Sequence, residues 1–112
     1  MRKLIVIALV GGCLGVLASV AMAGTKSVKV GDNYYVRPSG VPKITVSKGT
    51  RVKWRFGTGT PHNVTVKSGP ARFRSATKTS GTYSRTLKKR GTYVIYCTIH
   101  GFSDQRMKLV VK

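Results

Sequence analysis

Acidic side chains are nearly missing from this 112-residue chain, where Asp32 and Asp104 face 21 lysines and arginines, a formal net charge of +19. No pair of carboxylates is available to divide acid and base roles. Histidine is confined to His62 and His100, and cysteine to Cys13 and Cys97. Ser103, Asp104 and His100 are sequence neighbours in one loop, without a fixed nucleophile–base–orienter arrangement. A phosphate-binding glycine loop is also absent. Past residue 23 no window carries a convincing helical period, and there is no internal repeat, linker or low-complexity tract. These absences exclude most enzyme classes, and the chain is expected not to be an enzyme.

What is present begins with an N-terminal address. Arg2 and Lys3 form a positive start, Leu4 to Val20 an apolar run, and Ala21-Met22-Ala23-Gly24 a small-x-small cleavage site. The expectation is a secretory signal over 1–23, cut after Ala23. The alternatives are an uncleaved anchor, since the apolar run is near the lower limit for a membrane span, and lipidation at Cys13. The domain would then be Gly24 to Lys112, 89 residues, enough for one small core. Without Arg2 and Lys3, 19 basic residues against two aspartates leave +17. Charge of that size bears on partners rather than fold, favouring anionic proteins, polymers or membrane surfaces. Cys97 would be left without a partner in the chain. In an oxidising compartment that is a hazard unless the thiol is buried, joined to another chain or bound.

Strand signals recur at short intervals with turn residues between them. They run through "SVKV", "NYYV", "KITVS", "RVKWRF", "HNVTVK", "GTYSRTL", "GTYVIYC" and "RMKLVVK". "RVKWRF" alternates strictly, with Val52, Trp54 and Phe56 on one face and Arg51, Lys53 and Arg55 on the other. Gly69 to Ser80 is irregular and polar. Seven or eight short strands without helices predict an all-β antiparallel sandwich or barrel. Parity places His62 on a face with Val64 and Val66, and Cys97 on a face with Tyr93 and Ile95. If those are core faces, His62 and Cys97 point inward at strand ends and could meet at one end of the sandwich.

All the histidine and cysteine of Gly24–Lys112 is His62, Cys97 and His100. Two imidazoles and a thiolate form the equatorial set of a mononuclear blue-copper site, completed by a weak axial donor. Coordination would explain an unpaired thiol, because a metal-held thiolate is not free to form mixed disulfides. The plainer readings are a cysteine buried as a small core hydrophobe and solvated histidines. Structural zinc competes for the same donors but takes four firm ligands, and three are on offer.

The paired motifs "TPHNVTV" (Thr60 to Val66) and "GTYVIYCTIHG" (Gly91 to Gly101) resemble the two copper loops of cupredoxins of the plastocyanin and amicyanin type. "DNYYVRPSGVPKITVSKGTRVKW" resembles the start of that domain. The resemblance implies an eight-stranded Greek-key β-sandwich with one copper at its loop-rich end, and His62, Cys97 and His100 as ligands. It makes Asn63 the residue whose hydrogen bonds tie the two ligand loops together. The axial position departs from the family. The plastocyanin-like spacing puts methionine where this chain has Gln105, and the amicyanin-like spacing where it has Ser103. Gln105, Met107, Leu109 and Val111 share a face, so either Gln105 or Met107 could point inward. The loop length from Cys97 to Val111 matches the plastocyanin-like register, which makes Gln105 the expected axial donor with Met107 as the alternative. Glutamine's harder oxygen should favour Cu(II).

The implied function is a blue-copper electron carrier in the periplasm or outside the cell. Its electron port is the His100 edge within a patch of Pro61, Gly101 and Phe102. An acidic redox partner is expected, with association to an anionic membrane or envelope surface as a further possibility. The protein is expected to be a monomer that binds no nucleic acid. The rival functions are copper storage or delivery, and a cationic secreted β-domain that binds anionic polymers, with Tyr34, Tyr35, Trp54 and Phe73 as interleaved aromatics.

Overall fold

Alternation of apolar and polar residues is the rule that builds this molecule. In the computed structural model, which describes residues 24–112, eight strands form and no helix occurs among the described residues. The expected signal over 1–23 lies outside them. The strands are β1 (Thr25–Gly31), β2 (Tyr34–Tyr35), β3 (Lys43–Val46), β4 (Arg51–Phe56), β5 (Thr65–Ser68), β6 (Gly81–Thr86), β7 (Gly91–Tyr96) and β8 (Arg106–Val111). They form two four-stranded sheets, ordered β2-β1-β4-β6 and β3-β8-β7-β5. β1 runs parallel to β4 and β3 parallel to β8, and the other pairings are antiparallel. The all-β Greek-key sandwich expected from the sequence is the architecture observed, but it is not purely antiparallel: β1–β4 and β3–β8 are parallel pairs between strands that are not joined by a hairpin.

Period-two patterning puts one face of each sheet inside. Val52, Trp54 and Phe56 of β4 are buried while Arg51 and Arg55 are exposed. Tyr93 and Ile95 of β7 meet Met107, Leu109 and Val111 of β8 in the same core. Trp54 lies at its centre, fully buried, with tilted ring contacts to Phe73 at 6.0 Å and Tyr83 at 5.8 Å. Its indole Nε1 is buried without a hydrogen-bond partner.

Two elements are shorter than the sequence pattern suggests. "HNVTVK" alternates from His62, yet β5 begins only at Thr65. The backbone of His62 and Val64 is taken instead by the irregular segment after β5. His62 N–H and C=O pair with Lys78 at 3.0 and 2.9 Å, and Ser75 N–H donates to Val64 C=O at 2.8 Å. "NYYV" contributes only Tyr34 and Tyr35, because the chain turns sharply at Val36. There φ is 69°, a left-handed conformation that β-branched residues rarely adopt. The Arg37 N–H donates to Tyr35 C=O at 2.7 Å, closing a γ-turn around Val36.

Candidate metal centre

Three chain segments meet at one end of the sandwich. The first follows β4 and carries Thr58, Pro61, His62 and Asn63. The His62 backbone is clamped to Lys78, and its ring, 1% exposed, runs inward. Nδ1 lies 3.1 Å from Gln105 Oε1, while Nε2 lies 3.0 Å from Asp32 Oδ1 and 3.2 Å from Thr58 Oγ1. The Asp32 carboxyl is held below its ordinary range, first by the hydrogen bond from His62 and then by Thr58, against a smaller opposing desolvation.

The second segment leaves β7. Cys97 is fully buried and has no disulfide partner among the described residues. Its N–H donates to Gln105 C=O at 3.1 Å, continuing the β7–β8 ladder one step past Tyr96–Arg106. The chain then folds back, with Gly101 N–H donating to Cys97 C=O at 2.9 Å. Gly101 takes φ 87°, where glycine pays no side-chain penalty. This turn brings half-buried His100 over the thiol, with Nδ1 3.5 Å from Cys97 Sγ. The two imidazole rings stand 4.7 Å apart.

One ligand atom from each of His62, Cys97 and His100 falls within 4.8 Å of the other two. The three residues singled out from sequence are thus brought together.

Asn63 bonds across the two segments. Its Nδ2 donates to Thr98 Oγ1 at 2.8 Å, and its Oδ1 accepts from Thr98 N–H at 3.1 Å and Thr65 O–H at 2.9 Å. The segment carrying His62 is thereby tied to the turn carrying Cys97 and His100. Tyr35 O–H, donating to Asn63 C=O at 2.6 Å, braces the same residue from the other sheet. Burial pushes that phenol far above its ordinary range.

The third segment presents Gln105, which is fully buried. Its Nε2 donates to Gly31 C=O at 2.9 Å and Tyr34 C=O at 2.8 Å. With both amide hydrogens committed, Oε1 is the atom turned toward His62 Nδ1. Met107 lies two residues further along, opposite Ile95, within the apolar core.

At the surface, Pro61 is exposed, and Gly101 and Phe102 are half-buried. Phe102 is less bare than the sequence suggests. It meets Tyr96 edge-on at 6.2 Å, with Lys67 Nζ 5.0 Å and the Arg106 guanidinium 4.6 Å from its ring centroid. Ile99, half exposed, adds the apolar surface that was not foreseen. Asp32, Thr58 and Thr98 were also missed, since each reads locally as an ordinary turn or loop residue.

A family model described as copper binding proteins, plastocyanin/azurin family, matches residues 40–112. The chain belongs to this family. Plastocyanin of Prochlorothrix hollandica is 36% identical over 104 residues, covering 84% of this chain and 78% of its own. Amicyanin-alpha of Methylorubrum extorquens is 31% identical over 96 residues, covering 82% and 76%. Among solved structures, a Met→Gln variant of amicyanin in the Cu(I) form superposes with a TM-score of 0.65 at 30% identity, covering 85% of this chain and 89% of that one. An oxidised Met→Leu variant gives the same TM-score and identity, covering 78% and 81%.

The cofactor of this family member is copper, and the donors fit one type 1 ion. Cys97 offers a buried sulfur without competing partners other than His100. The Nε2 of His62 is engaged on its outer side, leaving Nδ1 for a metal. A thiolate and two imidazoles suit copper better than a closed tetrahedral zinc site, which takes four firm ligands.

Proposed function

We propose that this protein is an exported one-electron carrier and not a catalyst. It holds a single copper ion through His62, Cys97 and His100, with Gln105 Oε1 as the weak axial donor. The carrying observation is the convergence of the three donors within 4.8 Å beneath a half-buried His100. A copper ion held there supplies the Cu(I)/Cu(II) couple. The residues around it supply rigidity. Asn63 locks one ligand segment to the other, and the Gln105 amide is fixed by two carbonyls. A site that cannot relax far between oxidation states exchanges electrons with little rearrangement.

Met107 serves as core rather than as axial donor, a reading supported by its position opposite Ile95. The buried Cys97 cannot reach another chain, which supports a monomer. Tyr35, Trp54 and Phe73 are buried and cannot form a stacking platform for nucleic acid.

His100 is the port, within the patch of Pro61, Gly101 and Phe102. Lys67 and Arg106 flank Phe102 beside it, so the approaching redox protein is acidic there, and the +17 charge of Gly24–Lys112 steers it from a distance. The double change Lys67→Glu and Arg106→Glu should slow electron exchange with an acidic redox protein at low salt by about tenfold or more. The difference should shrink as ionic strength rises. Stopped-flow rates against salt concentration measure both. The same export and charge are compatible with residence near an anionic envelope.

The function itself is tested by cycling the copper-loaded protein between ascorbate and ferricyanide with a Cu(I) chelator present. A carrier keeps its copper through many cycles. Stoichiometric loss to the chelator on the first reduction would instead mark a delivery protein.

A further inference from the structure

We propose that Asp32 is a positioning residue of the copper site: its carboxylate holds the outer nitrogen of His62 and keeps the reduction potential low. The inference rests on the copper reading above. It starts from the scarcity of acid in this chain, because one of only two carboxylates is placed against a ligand imidazole. With Nδ1 left for the metal, the single ring hydrogen of His62 is on Nε2. Two acceptors face it, Asp32 Oδ1 at 3.0 Å and Thr58 Oγ1 at 3.2 Å. Only Asp32 is charged, and Thr58 Oγ1 is already accepting from Thr60 N–H at 3.1 Å. Asp32 is therefore the dominant partner. A carboxylate in this place fixes the tautomer and ring plane, raises the basicity of the ligating nitrogen, and typically matters 10–100-fold for the metal.

The hairpin that carries Asp32 also holds the other side of the site. Gly31 and Tyr34, on either side of the turn, provide the two carbonyls that fix the Gln105 amide. One short connection between β1 and β2 thus sets two side chains, His62 and Gln105, from segments far apart in sequence. Its charge acts against the rest of the domain. The strongly basic surface stabilises Cu(I), the less positive state, whereas an anion against His62 stabilises Cu(II). An exposed ion pair of no consequence is the alternative, since the Asp32 side chain is 58% exposed and such pairs contribute little to folding. Folding stability does not separate the two readings, but the potential does.

The test uses the full copper-loaded protein and spectroelectrochemistry. Asp32→Asn keeps an oxygen acceptor and removes the charge. At a fixed applied potential near the midpoint, the Cu(I):Cu(II) ratio should rise about tenfold, equivalent to about 59 mV for one electron. Thr86→Lys adds the same unit of positive charge at the exposed far end of β6, opposite Arg51, and should move the ratio far less. In the diamagnetic Cu(I) protein, the Nε2–H proton of His62 should be slowly exchanging in the wild type and fast in Asp32→Ala. Equal potentials for Asp32→Asn and Thr86→Lys in a normally blue protein would overturn the role of Asp32 alone. A wild type that forms no blue copper band would overturn both this inference and the copper reading.

Discussion

Gln105→Met should raise the reduction potential and lower folding stability in the same variant. The potential rises because a thioether is softer than an amide oxygen and favours Cu(I). A tenfold change in the Cu(I):Cu(II) equilibrium, about 59 mV, is the expected scale. Stability falls for a separate reason. The Gln105 Nε2 satisfies the carbonyls of Gly31 and Tyr34, and a methionine donates to neither. Gly31 and Tyr34 still pair with each other across the hairpin, so the loss is that of the two hydrogen bonds, about 1–3 kcal/mol together. Spectroelectrochemistry reads the first effect and urea unfolding the second. A loss of stability with no change in potential would make Gln105 a structural clamp rather than an axial donor. Met107→Leu should leave the potential where it was, since Met107 packs opposite Ile95.

The second large effect lies in the core. Trp54→Ala should destabilise the domain by about 3–5 kcal/mol. A fully buried indole vanishes from between Phe73 and Tyr83, and strands of a sandwich relax only partly into the space. Total stability for a domain of this kind is about 5–15 kcal/mol, so a large share of it is at stake. Trp54→Phe should cost clearly less. The indole Nε1 is a buried donor with no partner, and phenylalanine removes that unpaired group while keeping much of the apolar contact. Urea denaturation of both variants, with an unchanged slope, checks the ordering. Equal costs for alanine and phenylalanine would show that the volume of the indole is not what stabilises this part of the core.

The residues that announce the fold do so through local periodicity. Val52, Trp54 and Phe56 alternate with charged neighbours, and the same two-residue rule places Cys97 on the Tyr93 face and His62 on the Val64 face. Convergence of His62, Cys97 and His100 followed from that parity together with the motif resemblance. The axial position is different in kind. Gln105 and Met107 share a face, so parity could not choose between them. The backbone bond from Cys97 N–H to Gln105 C=O sets Gln105 level with Cys97, and Met107 lies two residues deeper, opposite Ile95.

Contacts between distant segments left no local trace at all. Asp32 sits 30 positions from His62 and reads as a turn residue. Thr98 looks like any loop threonine until Asn63 is seen to bind it twice. The late start of β5 has the same origin, since the segment ending at Lys78 competes for the backbone of His62 and Val64. Phe102, expected as part of a plain apolar port, is covered by two cations, Lys67 of β5 and Arg106 of β8, which reach it from the strands on either side of β7.

The most direct measurement is the visible absorption spectrum of Gly24–Lys112 after addition of Cu(II), beside a Cys97→Ser control. The wild type should show an intense thiolate-to-copper band near one equivalent of copper, and the serine variant should lack it while remaining folded. A folded wild type without that band, or a serine variant that retains it, would contradict a copper site built on Cys97.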